Sequence, residues 1–193
     1  MRNVVLSAMM ALAVAATPAF AQGQKARKNA GAGGPMNDQT FVTKAAAGGL
    51  AEVELGKLAQ EKGSNEQVKN FGQRMVTDHG KANDELKTLA QNKNITLPTE
   101  LDPHDKALRD RLTKMSGAGF DRAYMQAMVT DHRKVANEFR HESTAGKDAD
   151  IKAFAAKTLP TIEEHLKLAQ EANKAVVGTS GTVEKKGAKT PKK

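Results

Sequence analysis

The pentapeptide Met-Val-Thr-Asp-His occurs twice in this chain, at Met75–His79 and at Met128–His132, 53 positions apart. Lys81-Ala82-Asn83 follows the first copy, and Lys134 with Ala136-Asn137 follows the second. A run this long does not recur by accident in 193 residues, so the chain holds two related units that place a His at the same point. Apolar residues recur at helical spacing around both copies. The first stripe is Val68, Phe71, Met75, His79, Ala82, Leu86 and Leu89; the second is Ala118, Met125, Met128, Val129, His132, Val135, Ala136 and Phe139. A 3.6-residue period of this length excludes strands and requires partner helices to cover each stripe.

Residues 41–173 read as helix nearly throughout, broken only by Pro98, Pro103 and Pro160. A first helix is expected from about Asp38 or Thr40 to Lys62, stopped by Gly63 as a C′ glycine. Ser64 is expected to cap a second helix, with Gln67 in the capping-box position, running to about Asn92. Asn94 to Pro98 reads as extended, because the residue before Pro avoids the α region. A short helix from about His104 to Met115 and a long one to Ala145 follow. Gly146 ends the long helix, and Asp148 caps a last one reaching about Asn173. Pro160 removes one backbone hydrogen bond inside that helix and should bend it. The fold class is therefore all-α. Short first and last connections, with roughly 25 residues across the middle, fit a ferritin-like four-helix bundle whose one crossover contains a short extra helix. The crossover lets the two repeat-bearing helices run parallel, with their histidines at one height.

The ends differ from this middle. Arg2, the apolar run Val4 to Ala16 and Ala19-Phe20-Ala21 have the pattern of an export signal over residues 1–21, with cleavage after Ala21. The run is too short to span a bilayer, which takes about 20 apolar residues, so a periplasmic or secreted protein with no transmembrane segment is expected. There is no Cys, hence neither disulfide nor lipid attachment at a Cys. The net charge of +8 lies outside the middle, since residues 41–173 carry 20 basic and 20 acidic side chains. Residues 22–37 read as a disordered basic linker, 38–173 as the bundle and 174–193 as a disordered Lys-rich tail. These basic segments suit nonspecific contact with anionic envelope surfaces. One Tyr, no Trp and a neutral middle make a poor reader of nucleic acid, so no specific nucleic-acid partner is expected.

Histidine is scarce, five in all. His79, His132 and His165 lie on apolar stripes and should face the core, whereas His104 and His141 should face solvent. Counting from the turns sets the three inward histidines at one level, within a turn of Glu52, whose face is built of Ala45, Gly48, Gly49, Gly56 and Ala59. Three imidazoles and a carboxylate, one from each long helix, suit one transition-metal ion: Zn, Fe, Mn or Cu. Glu54 competes with Glu52 for the carboxylate position, because Leu50, Ala51 and Leu58 flank it. Asp78 and Asp131 are candidate partners behind the histidines or further ligands, although Arg74 and Lys81 offer Asp78 a surface ion pair instead. Buried histidines also serve as hydrogen-bonded core residues, and Met75, Met125 and Met128 read as core filler before copper ligands.

The strings Phe41-Val42, Ala46-Ala47-Gly48-Gly49-Leu50-Ala51-Glu52-Val53-Glu54-Leu55-Gly56, Phe71 to His79, Phe120-Asp121, Met128 to His132, and Leu159-Pro160 with His165-Leu166 closely resemble a bacterial exported family. It is catalogued as domain of unknown function 4142 and placed with the ferritin-like superfamily. The resemblance covers about residues 38–172 and implies a four-helix fold and an envelope location, but no activity. Phe120 to Met125 with Met128, Asp131 and His132 also looks like a second exported ferritin-like family, catalogued as domain of unknown function 305. That family has a Met-x-x-His-His element, and Asp131 stands here in place of its first His, which argues against copper handling.

Di-iron sites of ferritin-like proteins use Glu-x-x-His on two helices. Val76 and Ile162 stand three residues before His79 and His165, so ferroxidase chemistry is not expected. No nucleophile–base pair, Gly-rich phosphate loop or paired-carboxylate motif is visible, and no catalysed reaction can be assigned. The leading expectation is an exported metal-binding or stress-associated bundle; the competing one is a non-catalytic envelope interaction module with metal-free core histidines.

Overall fold

The computed structural model describes residues 37–178. The expected export signal, most of the basic linker and the chain beyond Gly178 lie outside the described residues. Five helices follow in order: α1 (Asp38–Lys62), α2 (Glu66–Asn92), α3 (Pro103–Thr113), α4 (Gly117–Ala145) and α5 (Ala149–Gly178). Among the described residues there is no strand, and no helix is long and apolar enough to cross a membrane.

The helix ends follow from local chemistry, with some departures from expectation. Asn37 caps α1 by accepting from the Thr40 amide. Asn65, not Ser64, caps α2 by accepting from the Gln67 amide, because Ser64 is engaged elsewhere. Asp102 caps α3 through the Asp105 amide, so that helix starts at Pro103, where the missing N–H costs nothing. Gly63 and Gly146 end α1 and α4, but both are extended rather than left-handed. Glycine is needed there because a Cβ would sit 2.6 Å from the carbonyl of Ala59 or Glu142. Asp148 caps α5, accepting from the Ile151 amide. α5 runs five residues past the expected Asn173, because Ala172 and Val176 continue its buried stripe. Ala118, expected inside, is exposed at the start of α4, and Pro160 faces solvent within an uninterrupted α5.

α1 with α2 and α4 with α5 form two tight hairpins. Gly56 and Gly72 let α1 and α2 touch backbone to backbone, since a Cβ on either would come within 2.7 Å of the other's carbonyl oxygen. Cross-helix contacts set the directions. Glu85 meets Lys157, and Arg74 meets Glu164, so α2 and α5 are antiparallel. Lys44 meets Glu138, while Glu52 meets His132, so α1 and α4 are antiparallel. α2 and α4, both antiparallel to α5, therefore run parallel, and the repeated pentapeptides fall at one level.

Each hairpin turn is clamped by a carboxylate from the other hairpin. Asp121 at the start of α4 accepts from the Ser64 amide and hydroxyl and from the Asn65 amide. Asp38 at the start of α1 accepts from the Lys147 and Asp148 amides, and these bonds, first that from Lys147, hold its carboxyl below the usual range. Charge-assisted bonds of this kind are the stronger ones. They fix the axial register of the hairpins, and with it the height of everything between.

Two apolar clusters fill the interior. One, toward the α1–α2 turn, is built on Phe71, Met75, Phe120, Tyr124, Met125 and Met128, with Leu108 and Leu112 of α3 as its lid. The other, toward the α4–α5 turn, is built on Phe41, Leu86, Phe139, Ile151 and Phe154. The polar residues of interest lie between them.

Candidate metal centre

α2, α4 and α5 bring His79, His132 and His165 into one layer, with ring centroids 5.3 to 5.7 Å apart. All three are buried, and each has one donor nitrogen within 4.8 Å of the others'. Phe71 closes the layer from the solid end, its ring 5.9 Å from that of His132 and 6.5 Å from that of His165. Glu52 of α1 stands beside the three, its Oε1 3.5 Å from His132 Nδ1, and is not among the residues whose donor atoms all lie within 4.8 Å of one another.

Hydrogen bonding settles which nitrogens are free. Only a protonated nitrogen can donate to a carbonyl, so His132 Nδ1, 3.0 Å from the Met128 carbonyl, carries the proton. His132 Nε2 then holds a lone pair and has no partner. His165 Nε2 donates to Asp78 Oδ2 at 2.9 Å, leaving Nδ1 as the lone-pair nitrogen, also without a partner. His79 Nε2, Glu52 Oε2 and the Tyr124 hydroxyl are likewise buried and unpartnered. Each such atom costs roughly 1–3 kcal/mol in desolvation, so five around one layer is a large local penalty unless something binds there.

Burial sets the charge states. It drives His79 well below the ordinary imidazole value, with help from His132 and His165. Burial, then the neighbouring His165, brings His132 down to about 4. Burial also lowers His165, against the pull of the Asp78 carboxylate. Glu52 is pushed well above the carboxylate range by burial, then by Asp131 and Asp105. Without a cation the three imidazoles are in the neutral, metal-binding form at pH 7, while burial favours the acid form of Glu52 and a bound cation would favour its carboxylate.

The remaining candidates separate. Asp78 is half-buried and bonded to both His165 and Arg74; burial raises its carboxyl, but these partners hold it below the usual range. Glu54 points away, paired with Arg109 of α3 at 3.3 Å. Asp131 sits beside the layer and faces α3, where burial and Asp105 raise its carboxyl. His104 and His141 are exposed.

Tyr124 is the residue that sequence reasoning passed over. It is fully buried, stacked on Phe120 at 5.6 Å, and near enough to Glu52 for that carboxylate to raise its phenol, after burial. A signal was present: Tyr124 occupies in the second repeat the position that Phe71 occupies in the first.

Above the layer, on the side away from Phe71, lies a cavity of about 440 Å³. Glu52, His79 and His132 form its floor; Phe41, Leu86, Phe139 and Phe154 its walls; Asp102, His104, Asp105 and Asp131 part of its rim. Gly48 helps to open it, since a Cβ there would meet nothing within 4 Å.

No curated protein and no solved structure matches the chain. A family model described as "Domain of unknown function (DUF4142)" matches residues 21–172, and the chain belongs to that family.

Proposed function

We propose that this protein binds one transition-metal ion in the layer formed by Glu52, His79, His132 and His165, inside a ferritin-like bundle exported to the periplasm. The observation that carries the reading is the set of three buried imidazoles from three helices, each with an unpartnered nitrogen and a donor nitrogen within 4.8 Å of the other two. Donor nitrogens at a tetrahedral ion stand about 3.3 Å apart, inside the 4.8 Å bound that these three keep. Asp78 behind His165 supports the reading, because a metal-bound His commonly donates its other N–H to a carboxylate. Nitrogen-rich donors with one oxygen suit Zn, Fe, Mn or Cu.

Antiparallel neighbours with a long α2–α4 connection support the ferritin-like topology. The Glu-x-x-His pattern is absent from α2 and α5, so a mononuclear site fits better than a di-iron one. The Ala19-Phe20-Ala21 pattern supports export and is checked by sequencing the N-terminus of protein recovered from the periplasmic fraction. A metal-free interaction module would leave the unpartnered nitrogens without a role.

The test is calorimetric titration of chelator-treated protein with Zn(II), Mn(II), Fe(II) and Cu(II). One ion per chain for wild type, and none for His132→Ala with its helical circular dichroism intact, is expected. Equal binding by both proteins rejects the site.

A further inference from the structure

The cavity borders the layer at Glu52, His79 and His132, and its rim carries chemistry of its own. Asp102, His104 and Asp105, at the start of α3, bring one donor atom each within 4.8 Å of one another. Asp131 of α4 lines the same cavity, close enough to Asp105 for the two charges to repel. Of the two lysines on the rim, Lys44 pairs with Glu138 at 3.5 Å, while Lys134 faces Asp131 and Asp105. Three carboxylates thus face one lysine around a recess, an arrangement that concentrates cations.

A second observation lies deeper. Glu52, nine-tenths buried, lines the same cavity from inside with Oε2 unpartnered, and Asp131 and Asp105 are the carboxylates whose charge reaches it. The rim carboxylates and Glu52 therefore border one cavity, and the other Glu52 oxygen is 3.5 Å from His132. Carboxylate oxygens with one imidazole are a donor set for divalent first-row ions.

We propose that Asp102, His104, Asp105 and Asp131 form a capture site for a divalent transition-metal ion at the cavity mouth, from which the ion passes by Glu52 to the histidines. The hand-over rests on the metal reading of the histidine layer; the capture site does not.

Rapid mixing of the purified protein with Co(II) tests the hand-over. The Asp102→Asn/Asp105→Asn/Asp131→Asn variant keeps a capping residue at the start of α3. It should load about tenfold more slowly than wild type at low ionic strength and reach the same final cobalt absorbance, and added salt should erase most of the difference. Equal loading rates overturn the hand-over. For the capture site, Mn(II) is titrated by NMR into wild type whose inner site is filled with Zn(II), and into the His79→Ala/His132→Ala/His165→Ala protein. The His104 ring should broaden before that of exposed His141, and the Asn substitutions should abolish the difference. Simultaneous broadening of both rings overturns capture. A wild type that takes up no Co(II) defeats the hand-over and the proposed function together, whereas the His104 signal still decides the capture site.

Discussion

The two copies of Met-Val-Thr-Asp-His agree in their histidines and part at their aspartates. His79 and His132 both face inward at one level, and burial keeps both neutral. Asp78 accepts from His165 and Arg74, which hold its carboxyl low against burial. Asp131 lies across from Asp105, and its carboxyl rises. One cause is in the sequence: Arg74 stands four residues before Asp78, and Ala127 four before Asp131. The other is the neighbour, since α5 presents His165 to the first copy and α3 presents Asp105 to the second. A repeat fixes which way a helix faces and how far along it a residue lies; the surroundings then decide what that residue does.

The largest effect expected concerns what the copies share. An unfolded chain takes up His protons near the ordinary value, whereas folded His132 resists until about 4. Metal-free protein should thus keep full histidine-linked stability above roughly pH 6.5 and lose it as pH falls toward 4. His132 alone accounts for about 3 kcal/mol of that loss. Glu52 has the opposite sign: its folded value is raised, so it destabilises the metal-free fold as pH rises above about 4.5. Urea midpoints between pH 4 and 8 should show the acid loss flattened in His132→Leu, and a gain for Glu52→Gln at pH 7 that vanishes near pH 4. Parallel profiles for all three proteins would break the claim that these groups are buried neutral.

The aspartates give the next largest effect. Asp78→Asn leaves His165 without its carboxylate and should weaken Zn(II) binding by about 10–100-fold. Asp131→Asn takes no hydrogen-bond partner from a histidine and removes only a part-exposed charge beside the layer, so its loss should stay within about fivefold. Equal losses in the two variants would erase the distinction between the copies. Smallest is Arg74→Ala, which makes the first copy resemble the second at that position. Its side chain is partly exposed, so a stability change of no more than about 1 kcal/mol is expected in thermal melts.

The bundle's two ends also differ, and the difference marks what the sequence could reveal. The Phe71–Tyr124 end is filled with side chains and drawn tight at Gly56 and Gly72, and its stripes were readable from periodicity. The Phe41–Phe154 end holds the cavity, which no periodic pattern announces, because a void depends on how four helices lean together. Most helix limits, the inward histidines and their shared height followed from caps and counting, whereas the Asn65 cap of α2 and the five added residues of α5 did not. The clamps at Asp121 and Asp38 did not, since each joins residues 56 to 110 positions apart. Nor did the choice of Glu52 over Glu54: both have apolar neighbours, and only the arrival of Arg109 from α3 shows which one turns outward.

The central claim is that the histidine layer holds an ion. The most direct measurement is elemental mass spectrometry of untagged protein purified without chelator, beside the His79→Ala/His132→Ala/His165→Ala variant. Near-stoichiometric Zn, Fe, Mn or Cu in the wild type, lost from the variant, is the predicted result. A wild type that is empty and stays empty after incubation with each ion would contradict it.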